Sequence, residues 1–272
     1  MSKNSKLIMI HITFLFTLYN SNTQEALVKK INLYDDNIGS VEYIQHMGED
    51  LTVVNSARVS FGKEKTNIDA KDRKLIQYLC RNKHTSTLEH NVCTFRFVVP
   101  LIVRSQHHRH RTWSFNEISR RYTDANLKFY LPKKFRTQHE SNRQASNANE
   151  LVDPQAYPTM SLMRVSELLE YKTNECFQTY ETLIDRGVCR EQARMILPQN
   201  LYTEYYGTCN LNNLLKFIDL RTHEGAQWEI QQLAKACLDI ATELWPITVN
   251  AYKAVRGDII SGDAIPPKPK EK

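Results

Sequence analysis

The sequence predicts an α+β fold, with a mixed or antiparallel sheet drawn from the first half and a helical C-terminal half. Three observations predict it. Short runs rich in β-branched and aromatic residues fall before residue 100, and apolar residues at helical spacing recur after residue 159. The strict strand–helix alternation of a doubly wound fold is missing. The chain has 272 residues, 41% hydrophobic and 24% charged, which is enough to bury a core and unlike a disordered or fibrous chain.

In chain order, LVKKINL (27–33) and VEYIQHM (41–47) read as strands, and GEDLTVVNSARVS (48–60) reads as a helix. Residues 68–82 carry helical spacing, with Ile76, Leu79 and Cys80 on one side. HNVCTFRFVV (90–99) is a strand by its β-branched and aromatic content. Pro100 suits the first turn of a helix through LIVRSQHHRHR (101–111), followed by an irregular segment through Asn116 and Glu117. Residues 137–157 are polar and read as a mobile surface loop. A long helix over about 159–185 is stopped by Gly187, and further helices are predicted near 190–197, 210–221 and 227–244. These elements make a single domain over 27–258, between an extension (1–26) and a disordered tail (259–272) ending PPKPKEK.

MSKNSK followed by LIMIHITFLFTLY resembles the basic and apolar regions of a signal peptide. The apolar run is short of the roughly 20 residues a membrane span requires, and NSNTQEA is a poor cleavage site. It reads as an extension of a cytoplasmic protein with no membrane partner. Six scattered cysteines without C-x-x-C pairs read as reduced thiols, and no ligand set points to a metal. The net charge of +6 leans toward anionic partners without choosing among them.

Charge is concentrated in QHHRHRTWSFNEISRRY (106–122), which holds four arginines and three histidines against one carboxylate, Glu117. No lysine occurs from Arg104 to Tyr122. Arginine offers a planar fork for phosphate or carboxylate that lysine lacks. A solvated basic face, a nucleic acid stacked on Trp113, Phe115 and Tyr122, or a small polyanion would each account for the cluster. HTSTLEH (84–90) is either a capping box from Ser86 to Glu89 or part of a pocket wall. On a helical wheel for 210–221, Arg221 falls about 20° from Asn210, within the stripe of Leu211, Leu214, Leu215, Phe217 and Ile218. An inward arginine needs a partner, either an internal carboxylate or a ligand.

RHRTWSFNEISRRY matches every fixed position of R-H-R-x-x-S-x-N-E-x-S-x-R-Y and so resembles the signature of the flavin-dependent thymidylate synthases. HTSTLEH, LPQNLYT, NLNNLLKFIDLR and AQWEIQ are similar to further segments of that family, in the same order. The resemblance implies synthesis of dTMP from dUMP, with 5,10-methylenetetrahydrofolate as one-carbon donor, FAD as hydride carrier and NADPH as reductant. It also implies a homotetramer with active sites at subunit interfaces, no cysteine nucleophile and no nucleic-acid partner. By position, Ser86, Arg109, His110, Arg111, Glu117, Asn210, Asn212 and Lys216 would contact the flavin. Gln106, His107, His108, Arg109, Glu117, Ile118, Ser119, Arg120, Arg121 and Arg194 would hold dUMP. Arg221 would activate it, because a cation beside the pyrimidine favours ionisation at N3. The chain departs from the family's usual residues at Arg120, Asn212, Lys216 and Gly225, with His223 a substitute from two residues before Gly225.

Overall fold

The strand Val92–Pro100 (β3) alternates half-exposed and buried residues along its length, burying Cys93, Phe95, Phe97 and Val99 on one side. That alternation lets one face of a sheet seal a core while the other meets solvent. In this computed structural model, which describes residues 30–157 and 161–260, β3 is flanked by Ser40–Met47 (β2) and Tyr202–Asn210 (β9). Lys30–Asn32 (β1) pairs outside β2, and Ser114–Glu117 (β4) pairs outside β9. The sheet order is β1-β2-β3-β9-β4, antiparallel at every pairing. Of the two predicted sheet types, the antiparallel one forms. The predicted extension, the first three residues of the first predicted strand, the start of the long predicted helix and the tail beyond Ile260 lie outside the described residues.

Gly207 occupies the middle of β9, opposite Phe95 on one side and Phe115 on the other. A Cβ here would lie 2.8 Å from the Phe97 ring and 3.3 Å from both Phe115 and Trp113. The missing side chain therefore lets a layer of aromatic rings close over the strand. On the far face, Arg96 joins three strands through Glu42 and Glu204, at 3.2 and 2.8 Å.

Helices Asp50–Arg58 (α1) and Ala70–Arg81 (α2) follow the first hairpin, and Leu101–His107 (α3) follows β3 directly. The chain then forms two small hairpins, Phe135–Gln138 (β5) with Ser146–Val152 (β6), and Gln155–Tyr157 (β7) with Ser161–Arg164 (β8). Val165–Asp185 (α4) and the short Arg190–Ala193 (α5) lead into β9. Leu211–Thr222 (α6), Trp228–Leu244 (α7) and Pro246–Ile260 (α8) complete the fold. Helices α6 and α7 pack against one another, with α7 also on β2, and bury the apolar sheet face. Among the described residues no helix is long and apolar enough to cross a membrane.

Several expectations are corrected. The predicted loop 137–157 is largely strand-paired in β5, β6 and β7, because its polar residues serve an exposed two-stranded ribbon. The long helix begins only at Val165, after β8. The predicted helix 101–111 ends at His107, and the residues expected to be irregular at 114–117 form the edge strand β4. The helix predicted over 190–197 shortens to α5 and a 3-10 turn, Arg194–Ile196. The interior strand β9 and the last helix α8 had no counterpart in the sequence reading.

Candidate active site

The basic stretch runs from α3 through a tight turn into β4, and this path sorts its side chains by depth. His107 points inward and is fully buried, with Nδ1 2.8 Å from the Tyr205 hydroxyl. Phe97, Trp113 and Phe217 surround its ring with centroids at 4.9, 4.6 and 4.6 Å. Burial first, then the neighbouring His110, His108 and Arg221, hold its pKa well below the ordinary value. Its side chain, expected in the nucleotide grip, is instead part of the core. His108 stacks on Phe115 at 4.1 Å, and burial together with Arg104 lowers its pKa. His110 titrates at about 4 through burial and the adjacent Arg221. The histidines are thus neutral near pH 7, and the positive charge of the cluster resides on its arginines. Trp113 is buried and Phe115 partly so, which leaves Tyr122 as the exposed ring of the three aromatic residues expected as stacking platforms.

Arg221, near the end of α6, donates from Nε to His110 Nε2 at 3.1 Å and from Nη2 to the Gln106 carbonyl at 3.2 Å. It therefore defines the His110 tautomer as the one protonated on Nδ1. Both partners are neutral, and among the described residues Arg221 makes no ion pair. Of the two alternatives left open by the helical wheel, the internal carboxylate is not realised. Burial lowers its pKa, but a guanidinium remains charged.

Gln106 is held at its other end by a second network. Its side-chain amide donates to Gln227 Oε1 at 2.5 Å, and Gln227 donates to Glu229 at 2.9 Å. Glu229 is buried and also accepts from Arg136 on β5 at 2.8 and 2.9 Å, and from the Tyr130 hydroxyl at 3.2 Å. The first small hairpin is in this way tied through α7 to α3.

A cavity of about 300 Å³ opens between α3, the end of β4 and the Arg194 turn. Glu117, Ile118, Ser119, Arg120 and Arg194 line it, so five predicted nucleotide-site residues are brought together; Arg104 and Thr203 line it too. Glu117, expected among the ligand contacts, is already engaged within the chain. Both its oxygens take Arg104 Nε at 2.9 and 3.0 Å, and one also takes the Thr203 hydroxyl at 2.6 Å. Arg120 donates to the Ala125 and Tyr202 carbonyls at 2.8 and 3.5 Å, while its buried Nε has no partner. Arg121 does not line the cavity; it is exposed and pairs with Glu191 at 3.1 Å.

The residues expected to hold flavin are more dispersed. Ser86 lies in the 3-10 turn Thr85–Leu88 and lines a different cavity, of about 460 Å³, with Ser56, Ser60, Lys83 and His84. The capping-box alternative is not formed: Glu89 accepts from the buried Asn212 at 2.9 Å instead. Asn210 caps α6 by accepting the Asn213 N–H at 2.9 Å. Arg109, Arg111 and Lys216 are exposed, and neither arginine has a side-chain partner among the described residues. The His223 ring lies over Gly225, accepting its N–H at 3.0 Å. Unpaired guanidiniums and a wall of hydroxyls with one lysine suit a long ligand carrying phosphates and polyol hydroxyls. The chemistry of this donor set fits FAD.

Arg104 and Thr203 escaped the sequence reading, and Gln227 and Glu229, inside the quoted AQWEIQ, carried no assigned role. Arg104 stood at the edge of the lysine-free run, which was a usable signal. The other three owe their position to chain crossings far apart in sequence.

Fold and site together define an α+β protein with an arginine-rich region suited to small phosphorylated ligands. The model of the family described as thymidylate synthase complementing protein matches residues 42–247. A flavin-dependent thymidylate synthase of Thermus thermophilus is 42% identical over 215 residues, covering 79% of this chain and 76% of the relative. One from Thermotoga neapolitana is 40% identical over 224 residues, covering 82% and 95%. The crystal structure of a UMP/dUMP methylase, PolB from Streptomyces cacaoi, bound with 5-Br dUMP, superposes with a TM-score of 0.67. It is 31% identical and covers 82% of this chain and 97% of its own. The chain belongs to the flavin-dependent thymidylate synthase family, and is an enzyme of that class.

Proposed function

We propose that this chain methylates dUMP to dTMP, taking the one-carbon unit from 5,10-methylenetetrahydrofolate and reducing equivalents from NADPH. FAD, once reduced by NADPH, would supply the hydride when bound. The observation that carries the reading is Arg221: a half-buried guanidinium held by two neutral acceptors, with no carboxylate among the described residues to quench it. Such a cation beside the uracil ring favours loss of the N3 proton and makes C5 electron-rich, the carbon that must attack the one-carbon unit. Gln106 and His110 act on Arg221 by fixing its plane. The cavity lined by Ser119, Arg120 and Arg194 receives the phosphate, and Ile118 borders it. Arg121, on the adjoining turn, approaches the same ligand.

Ser86, Arg109, His110, Arg111, Asn210, Asn212 and Lys216 hold the flavin, with Glu117 at the border between the two grips. In this reading Asn212 acts through Glu89, because its own side chain is buried. The Ser86 cavity and the phosphate cavity have no lining residue in common, and Arg109 and Arg111 line neither. That dispersal supports a homotetramer whose active sites are completed at subunit interfaces.

The deciding experiment is an anaerobic assay for dTMP with dUMP, 5,10-methylenetetrahydrofolate, FAD and NADPH. Product and a yellow, flavin-bearing protein are expected. Absence of dTMP from the wild-type chain overturns the reading.

A further inference from the structure

Arg104 has no place in the signature that carries the family resemblance, yet it lies on the wall of the phosphate cavity. It stands one turn before His107 on α3, its side chain 35% exposed. One edge of the guanidinium is engaged: Nε and Nη2 reach Glu117 at 2.9 and 2.8 Å. The remaining nitrogen, Nη1, has no partner among the described residues. Glu117 is fixed from the other side by the Thr203 hydroxyl, at 2.6 Å, so this ion pair is anchored to β9 and does not swing freely. The geometry of a guanidinium makes the two edges separable: a carboxylate can hold one while a phosphate oxygen takes the other.

Charge leads to the same place. The cavity wall carries three guanidiniums, of Arg104, Arg120 and Arg194, against the single carboxylate of Glu117. Two positive charges are left over, which matches a phosphate monoester dianion. Were Arg104 present only to neutralise Glu117, a lysine would meet that need. The planar, oriented fork has a further edge to use.

We propose that Arg104 is a phosphate-binding residue of the nucleotide site, using its Glu117-locked guanidinium to present Nη1 to the 5′-phosphate. This rests on the reading of dUMP as substrate. Glu117 is then the positioning residue that orients Arg104, which explains why a carboxylate lines an anion site at all. Arg104 joins Arg120 and Arg194, so that helix α3, the turn after β4 and the turn after α5 each contribute one cation.

Calorimetric titration of the full chain with dUMP and with 2′-deoxyuridine tests the assignment in four forms: wild type, Arg104→Gln, Glu117→Gln and the double variant. Thermal melting of each form checks folding, which a partly exposed pair should not compromise. Loss of one charge-assisted contact is expected to weaken dUMP binding ~10-fold or more. Binding of 2′-deoxyuridine, which lacks the phosphate, is expected to stay unchanged in Arg104→Gln. The decisive comparison is Glu117→Gln against the double variant. A further loss of dUMP affinity in the double variant supports direct contact. Equal affinity there shows that Arg104 acts only through Glu117 and overturns the assignment, as does an equal loss for both ligands. If the wild-type chain fails to bind dUMP, the functional reading falls and takes this assignment with it.

Discussion

Arg221 Nε donates to His110 Nε2 across 3.1 Å, joining the last turn of α6 to the turn that follows α3. The contact places a cation against an imidazole that can accept its N–H only while neutral. His110 titrates at about 4 rather than 6.5, first through burial and then through Arg221. Because its folded pKa lies below the unfolded value, its contribution to stability is complete above about 6.5 and is lost as pH falls toward 4. Arg221→Ala should raise the His110 pKa, leaving it below 6.5 because burial persists. Histidine proton chemical shifts followed through a pH titration report this; an unmoved His110 would show that the contact does not form in solution.

The same substitution separates binding from chemistry. Arg221→Ala should keep its flavin, since Arg221 is not itself among the predicted flavin contacts and only one of them, His110, is bonded to it, and should lose turnover by on the order of 10²-fold or more. Flavin absorbance of the purified variant and its dTMP yield are the two measurements. Full activity in the variant refutes the activation role.

Arg136 and Glu229 form a buried pair, with side-chain exposures of 19% and 5%. Glu229→Ala leaves the guanidinium unpaired and frees Gln227 and Tyr130, at an expected cost of about 3–5 kcal/mol. Arg136→Ala combined with Glu229→Ala should cost less than the two single changes added together. Urea denaturation midpoints of the three variants provide the comparison.

Gly207→Ala tests the aromatic layer. The new methyl would meet the Phe97 ring at 2.8 Å, within β9 where neither neighbouring strand can withdraw. A loss of about 1–3 kcal/mol is expected. A variant as stable as wild type by thermal melting would mean that the rings are not packed against this backbone.

A cysteine-dependent methyl transfer would need an accessible thiol. Cys189 is exposed, whereas Cys209 is buried, with its pKa pushed well up by burial and by Cys93. Cys189→Ser should leave turnover intact. Cys209→Ser should cost stability, by about 1–3 kcal/mol for a buried hydroxyl without a good partner, while substantial activity survives. Loss of all dTMP formation in Cys189→Ser would revive the thiol mechanism.

How far the fold could be read from the residues follows from the kind of signal each element carries. Strand β3 and helices α2 and α6 were legible because one face of each is apolar at the period of its own structure. Strand β9 was not, although it lies inside the sheet between β3 and β4. Its burial alternates, but Thr203 and Gly207 sit at buried positions and Tyr206 at an exposed one, and the reason for Gly207 is the rings of Phe97, Phe115 and Trp113, which come from other strands and turns. The hairpin of β5 and β6 looked like a loop because an exposed ribbon needs few apolar residues.

The site divides along the same line. Residue order alone establishes the supply of arginines, the absence of competing lysines between Arg104 and Tyr122, the inward stripe that carries Arg221, and the family signature. Those are properties of residue type and local period. Only the tertiary structure decided that His107 belongs to the core, that Glu117 is already held by Arg104 and Thr203, and that Arg221 faces neutral partners. Each of those outcomes depends on elements distant in sequence coming within hydrogen-bond range. Burial and charge balance are set by that meeting, and no local pattern records it.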